Sequence, residues 1–337
     1  MALGLLLSYI SIYINPAKFW IPAFFGLFFL LLLAVNFFLG LCWALFHRKI
    51  AWVNLIALLP AILYLPLFIQ VGHKAQEPSG PTVKLMTYNV HLFDLKDNGR
   101  SSTLSDFSAY IREENPDILC LQEMAAFDTL AVNRAFNQYP YYYYCCTKRI
   151  NGSWYGNVTF SKYPMVNTGR FLFPETSNRC TYTDMVVYGD TIRVYNNHLQ
   201  SISLNLERTA LRIRKEELRN EELKRVSIKL RAAFMKRAQQ VDAISAHISA
   251  SPYPVIVCGD FNDTPVSYTY HKMKAKLNDC FTKAGKGLPS TYRGFWPAFR
   301  IDYILCAPHF QTVSYNVPAV SYSDHYPVVV QLCKQNK

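Results

Sequence analysis

The sequence has no Cys-x-x-Cys pair and no Cys/His spacing of the zinc-site kind, so nothing in it argues for a thiolate-bound metal. Its nine cysteines are an odd number, and Cys120, Cys258 and Cys306 sit within apolar strand-like runs, where a small buried thiol is the ordinary outcome. The adjacent Cys145 and Cys146 are poorly placed for a disulfide, because neighbouring residues rarely reach its geometry. No internal repeat is present. The most informative absence is of charge: no charged side chain falls between Phe19 and Phe46, and none between Ile50 and Gly72. Both runs exceed the roughly 20 apolar residues that cross a bilayer as helix, so transmembrane spans are expected over about 19–46 and 50–72. A pair of buried core helices would need a protein shell that residues 1–78 are too few to supply. The apolar run Ala2–Ile14 is too short to cross alone at about 1.5 Å per residue, and reads as a partial third span or an interfacial segment. It lacks a basic n-region and is followed by further apolar runs, so a cleaved signal peptide is not expected.

Arg48 and Lys49, in the tight link between the two long spans, favour a cytoplasmic link and an outward-facing domain after Gly72; Lys18 and His73-Lys74 oppose this weakly. The net charge is +12, and residues 205–237 alone hold eleven Lys/Arg against five Glu. That stretch has three readings: a solvated helical face, a clamp on a phosphate backbone, or a band against anionic lipid headgroups. The remaining surface is only mildly basic.

Residues 73–82, HKAQEPSGPT, have the composition of a linker, and a single soluble domain is expected from 83 to 337. Within it, short β-branched or aromatic runs alternate with helical segments: strands at Val83–Val90, Ile118–Gln122, Tyr141–Cys146, Asn157–Phe160, Met185–Val187, Ile192–His198, Val255–Cys258, Asp302–Leu305 and Pro327–Leu332, and a helix at Leu104–Glu114 stopped by Pro116. Turn signals at Asn151-Gly152 and Gly189-Asp190 predict hairpins, hence antiparallel pairing beside helices. Leu204–Ala250, free of Pro and Gly, reads as one or two helices. Tyr139–Tyr144 (YPYYYY) suits alternate packing into a core, with base stacking as the other reading.

The polar residues that carry chemistry share one placement. Asn89 (MTYNV), Glu123 (LQE), His198 (NNHL), Asp260 and Asn262 (GDFN) and Asp324-His325 (SDHYP) each end an apolar strand-like run, where neighbouring strands can converge at one rim of a sheet; Asp302 (RIDYIL) opens its strand. Six such motifs in this order resemble the endonuclease/exonuclease/phosphatase superfamily, from residue 84 to 327. The resemblance implies a four-layer α/β/β/α sandwich like that of the deoxyribonucleases, here preceded by two or three transmembrane helices. It also implies a divalent-metal-dependent phosphoesterase.

Hard Mg²⁺, or Mn²⁺ or Ca²⁺ in its place, takes oxygen ligands, which the Asn89 amide and the Glu123 and Asp324 carboxylates provide. By resemblance Glu123 is the principal metal ligand. Asp260 and Asn262 position or deprotonate the attacking water and hold the phosphate. His325, held by Asp302, faces the non-bridging oxygens, and His198 protonates the leaving oxygen. Abasic-site endonucleases carry tyrosine where His198 stands, so the match is with the deoxyribonuclease-like and sphingomyelinase-like branch. Two substrate classes compete: a nucleic-acid phosphodiester, favoured by net charge, and a phospholipid or phosphorylated headgroup, favoured by the tether and by Asn196–Gln200 (NNHLQ). A scaffold without turnover is the non-enzymatic alternative. Nothing in the sequence points to a protein partner.

Overall fold

The computed structural model describes residues 1–72, 77, 78, 80–91, 104–126, 128–148, 152–202, 209, 212, 213, 216–293 and 299–335. Part of the expected linker, Asn151 of one expected turn and eight residues of the basic stretch, 205–208, 210, 211, 214 and 215, lie outside the described residues. In chain order the helices are α1 (Ala2–Ile10), α2 (Ile21–Leu27), α3 (Phe29–Phe46), α4 (Arg48–Leu58), α5 (Ala61–Tyr64), α6 (Leu104–Glu114), α7 (Thr129–Ala135), α8 (Glu216–Ser249), α9 (Tyr268–Lys274) and α10 (Cys280–Ala284). The strands are β1 (Thr82–Asn89), β2 (Ile118–Ala126), β3 (Tyr141–Lys148), β4 (Trp154–Ser161), β5 (Met165–Leu172), β6 (Arg179–Val187), β7 (Asp190–His198), β8 (Val255–Asp260), β9 (Asn278–Asp279), β10 (Asp302–Cys306), β11 (Phe310–Asn316) and β12 (Val328–Lys334). Two compact units organise them: Ile69–Leu199 with Ala246–Phe261 and Lys274–Lys337, and Met1–Phe68 with Gln200–Ser245 and Asn262–Met273.

The first unit is the expected sandwich. Its two six-stranded sheets have the orders β11-β12-β1-β2-β4-β3 and β5-β6-β7-β8-β10-β9. Pairs β1/β2 and β7/β8 are parallel and the others antiparallel. On the first sheet, Phe107 and Ile111 of α6 and Val132 and Phe136 of α7 are buried among Met86, Leu119, Leu121 and Phe160. Each such side chain contributes about 1.5–3 kcal/mol by leaving water. The tyrosine run divides as its alternation predicts only at the start: Tyr139 is buried and donates to Pro116 O, whereas Tyr141 and Tyr142 are exposed. On the second sheet, His247 in the last turn of α8 packs against Tyr182 and is 2.7 Å through Nδ1 from the Tyr195 hydroxyl.

A polar tie between the sheets sets the rim where the chemistry sits. Gln122 Nε2 donates to Thr87 Oγ1 and to Asn196 Oδ1 (2.9 and 2.7 Å), and Asn196 Nδ2 donates back to Leu121 O and Val158 O. An unpaired buried amide costs about 1–3 kcal/mol, so this network fixes β2 against β7 one residue before Glu123 and two before His198.

In the second unit, α3 and α4 form a hairpin, and Phe29–Phe46 and Arg48–Leu67 are each long and apolar enough to cross a membrane. The first expected span, 19–46, is broken at Phe28, where the backbone leaves helical geometry between α2 and α3; the 18 residues of α3 rise about 27 Å. Phe37, Phe38, Leu41, Leu45 and Phe46 of α3 and Trp52, Ile56, Leu59 and Leu63 on the return are exposed. The run expected as a partial span is α1, packed through Leu5, Tyr9 and Ile12 onto Phe29, Ala57, Phe68 and Val266. Ser11 Oγ donates to Val266 O at 3.0 Å, and a Cβ at Gly26 would stand 2.3 Å from that same carbonyl.

Part of the basic stretch is internal to this unit. Arg237 is fully buried, its Nε 3.3 Å from the buried Asp263 carboxylate and its Nη1 donating to Gln200 O. Removing one partner of a buried pair costs about 3–5 kcal/mol, whereas replacing both with apolar groups is often neutral. Arg237→Met is therefore expected to lower the chain's unfolding midpoint in detergent, with most of the loss recovered in Arg237→Met/Asp263→Leu. Equal midpoints for the parent and the single variant would refute this.

Candidate active site

Strand pairing alone brings three of the site residues together. β7 runs parallel to β8 with His198 opposite Asp260, and β10 runs antiparallel to β8 with Asp302 opposite Asp260. The close approach of β7 and β8 requires Gly259, whose φ is +120° and whose Cβ would fall 2.0 Å from Asn197 O. From the other sheet, Asn89 Nδ2 donates to Asp260 Oδ2 (2.9 Å) and to Glu123 Oε1 (3.2 Å). Glu123 turns in because β2 bulges between Leu121 and Met124, leaving Glu123 at φ 53°. Such backbone costs of order 1–3 kcal/mol and persists where the surroundings enforce it.

His325 Nδ1 lies 2.9 Å from Asp302 Oδ2, and its Nε2 is 3.8 Å from Asp260 Oδ2. The backbone N–H groups of Ile301 and Asp302 both donate to Thr291 Oγ1, and His325 N donates to Ser323 Oγ, so both members of the pair are held from behind. Burial alone would push the His325 imidazole down, but Asp302, Asp260 and Asp324 outweigh it and bring it up to about 10. Asp260 is pushed up to about 6, by burial first and then by Asp302, against the opposing pull of His325, His198 and the Asn89 hydrogen bond. Burial raises Glu123 too, but His198, the Asn89 hydrogen bond, His91 and His325 leave its carboxyl below the usual glutamate value.

His198 Nε2 stands 3.3 Å from Glu123 Oε1, the carboxylate neighbour that its motif does not reveal; the approach is too oblique to be a hydrogen bond. Asn262 follows at φ 54° and belongs to the second compact unit. Two further residues carry no motif signal. His91, at φ 41°, places Nδ1 3.4 Å from Asp324 Oδ1, and the Tyr292 ring lies edge-on to His325 at 5.0 Å. Burial, then Asp324, Asp260 and Glu123, push the Tyr292 hydroxyl up to about 12. The only hint in the sequence was the position of His91, two residues past Asn89.

Among the His, Cys, Asp and Glu of the described residues, one group could hold a cation. The ligand atoms of Asp260, Asp302 and His325 lie within 4.8 Å of one another. Within it His325 Nδ1 lies 2.9 Å from Asp302 Oδ2, and the neighbouring carboxylates bring the imidazole up to about 10, which favours an imidazolium over a metal-bound ring. The resemblance adds Asn89, Glu123 and Asp324; here Asn89 Oδ1 accepts from His91 N while Nδ2 faces Glu123 and Asp260, so the amide would have to turn over to offer its oxygen to a cation there. Asp260 next to them is pushed up by burial and then by Asp302, and a hard divalent cation bound nearby would oppose both.

A protein-family model described as the Endonuclease/Exonuclease/phosphatase family matches residues 86–325, and a domain of unknown function matches residues 1–68. No curated protein matches the chain. Among solved structures, the chain is similar to an endonuclease/exonuclease/phosphatase from Beutenbergia cavernae (20% identity, 76% of this chain and 72% of that one, TM-score 0.55). It is likewise similar to the human Nocturnin catalytic domain with bound sulfate (18%, 77% and 96%, 0.53) and to a mannosyl-6-phosphatase from Bacteroides thetaiotaomicron (18%, 74% and 99%, 0.52). At such identity these likenesses speak for the fold, while the family match covers most of the chain and all eight motif residues. The chain belongs to the Endonuclease/Exonuclease/phosphatase family, and it is accordingly a hydrolase of phosphoric esters.

Proposed function

We propose that the chain is a membrane-anchored, divalent-metal-dependent phosphodiesterase, with nucleic acid as its first substrate class. The observation that carries the chemistry is the continuous contact set Glu123–Asn89–Asp260–His325–Asp302, in which three carboxylates surround a single histidine. Glu123, Asn89 and Asp324 would hold Mg²⁺, which supplies Lewis-acid polarisation of a phosphoryl oxygen. Asp260, ionised above about 6, takes the proton of the attacking water as its oxygen bonds to phosphorus; Asn262 helps hold the phosphoryl group. The imidazolium of His325 faces the non-bridging oxygens, where negative charge grows, and Asp302 keeps it protonated and oriented. As the ester P–O bond breaks, His198 gives a proton to the leaving oxygen. The helices of Phe29–Phe46 and Arg48–Leu67 serve as spans, with Arg48 and Lys49 at the cytoplasmic end and the domain on the other side.

A phospholipid or sphingomyelin-type headgroup is the second reading. It is favoured by the grouping of the two apolar helices with Asn262–Met273, the segment that continues the GDFN motif. The test uses the full chain in nanodiscs, since α1 and α3 pack on Val266 and truncation would uncover that face. Supercoiled plasmid, sphingomyelin and phosphatidylcholine vesicles and p-nitrophenyl phosphate are each offered with Mg²⁺ or with EDTA, beside an Asp260→Ala/His325→Ala variant. We expect Mg²⁺-dependent nicking that the variant lacks. Cleavage confined to the vesicles would replace nucleic acid with lipid, and no cleavage of any of the three would leave a scaffold.

A further inference from the structure

Outside the catalytic rim, the N-terminal half of α8 carries a surface that the phosphoesterase chemistry does not use. Its inner stripe is accounted for: Val226, Leu230 and Phe234, spaced by four residues, pack with Trp20, Ala23 and Leu27. These partners belong to α2 and the residue before it, and α2 ends one residue short of the apolar α3. Further along α8, Asp242 accepts from Asn15 Nδ2 at 2.9 Å and from the Tyr268 hydroxyl. Position 242 of α8 is therefore level with residue 15, and positions 234 to 226 with residues 20 to 27. α8 thus runs antiparallel to the segment leading into α3, and its N-terminal end points toward the start of the apolar hairpin. Asp242 and Val226 are about 24 Å apart along the helix axis.

What α8 exposes at that end is unusual for a solvated face. Leu223 continues the inner stripe one turn beyond its last partner and is 49% exposed, and Ile228, on the opposite side, is 58% exposed. Lys224 and Arg231 flank Ile228 at helical spacing, and Arg219 lies one turn beyond Leu223; all three are exposed. Of the two acids between them, Glu222 is buried and paired with Arg225 and Arg212, while Glu221 is exposed and leaves the three basic residues in excess by two. Apolar side chains surrounded by Lys and Arg suit the headgroup layer of an anionic leaflet, which attracts the basic residues while the apolar ones enter its boundary.

We infer that residues 219–231 of α8 rest on the anionic headgroups of the bilayer that holds the α3–α4 hairpin. The inference rests on the membrane-anchored reading above, and it gives the basic stretch a partner: lipid, with α2 as the strut that holds it at the surface. Docked in this way, α8 is fixed at both ends of its packed stripe, by the bilayer and by Asn15.

The test places the photoreactive residue p-benzoylphenylalanine at position 38, 223 or 228 of the full chain, in nanodiscs of phosphatidylcholine with or without phosphatidylglycerol. Position 38 is an exposed point in the middle of α3. Lipid adducts are expected at all three positions. Those at 223 and 228 should fall at least about fivefold without phosphatidylglycerol, or in Arg219→Glu/Lys224→Glu/Arg231→Glu, while the adduct at 38 is unchanged. Adducts at 38 alone would overturn the inference and leave the anchor standing, as would cross-links from 223 or 228 to a second protein copy. No lipid adduct at 38 would overturn the anchored reading itself.

Discussion

Glu123→Ala is expected to lower kcat/KM by at least about 10³-fold on whichever phosphoester the parent cleaves, which corresponds to about 4 kcal/mol of transition-state stabilisation. One carboxylate oxygen of Glu123 meets both the Asn89 amide and the His198 ring, and the site's influences hold that carboxyl ionised. Truncation therefore removes the proposed principal metal ligand and a carboxylate neighbour of His198 in a single step. Two readouts separate this from collapse of the site. Raising Mg²⁺ should not restore the rate, because the lost group is a ligand. The unfolding midpoint in EDTA should not fall much, because the burial cost of the Glu123 carboxylate offsets part of what its Asn89 and His198 contacts contribute. Glu123→Gln, which keeps the shape and loses the charge, should be nearly as inactive. A Glu123→Ala rate within tenfold of the parent would remove Glu123 from the metal site and with it the proposed mechanism.

The parts of this site that the sequence made legible are those fixed by strand ends. Asn89, His198 and Asp260 each close a run of apolar residues, so parallel pairing of β7 with β8 gathers the last two and the stacking of the two sheets brings Asn89 to the same rim, and the run boundaries agree with the strands to within a few residues. Glu123 is the exception among them: β2 continues to Ala126, and the side chain enters the site by way of a bulge and positive φ that no composition announces. The contact of His198 with Glu123 spans two sheets and depends on the Gln122–Asn196 tie, a pairing of two amides 74 residues apart. His91 and Tyr292 stood outside every motif because loop geometry, not periodicity, delivers them.

The strands that escaped the alternation rule, β5, β11 and the two-residue β9, are edge strands with polar or glycine positions, which need satisfy only one neighbour. In the second unit the basic run concealed Arg237 and Glu222, whose burial is decided by partners at Asp263 and Arg212 rather than by the pattern of α8. A charge count over 205–237 therefore overstates what that helix presents to a ligand.

Asp302→Asn should move the alkaline limit of activity toward neutral pH. His325 is brought up to about 10 because Asp302, Asp260 and Asp324 outweigh its burial, with Asp302 the largest of the three. A histidine raised in the folded state contributes stability that is fully present below its ordinary value near 6.5 and is lost as pH rises through about 10. Its electrostatic help to the phosphoryl oxygens follows the same limb, since it depends on the same proton. With Asp302 neutral, burial regains its weight and the imidazole loses its proton earlier in the rise. We expect the parent's rate to hold up to about 10 and the variant's to decline at least one pH unit lower. At pH 8 the variant should lose about 10–10²-fold, and at pH 6 distinctly less. His325→Gln should be slow at every pH and show no such limb, which separates loss of the charge from loss of its support. If Asp302→Asn lowers the rate by the same factor from pH 6 to pH 10, then Asp302 holds the ring in place without setting its protonation, and the imidazolium role falls.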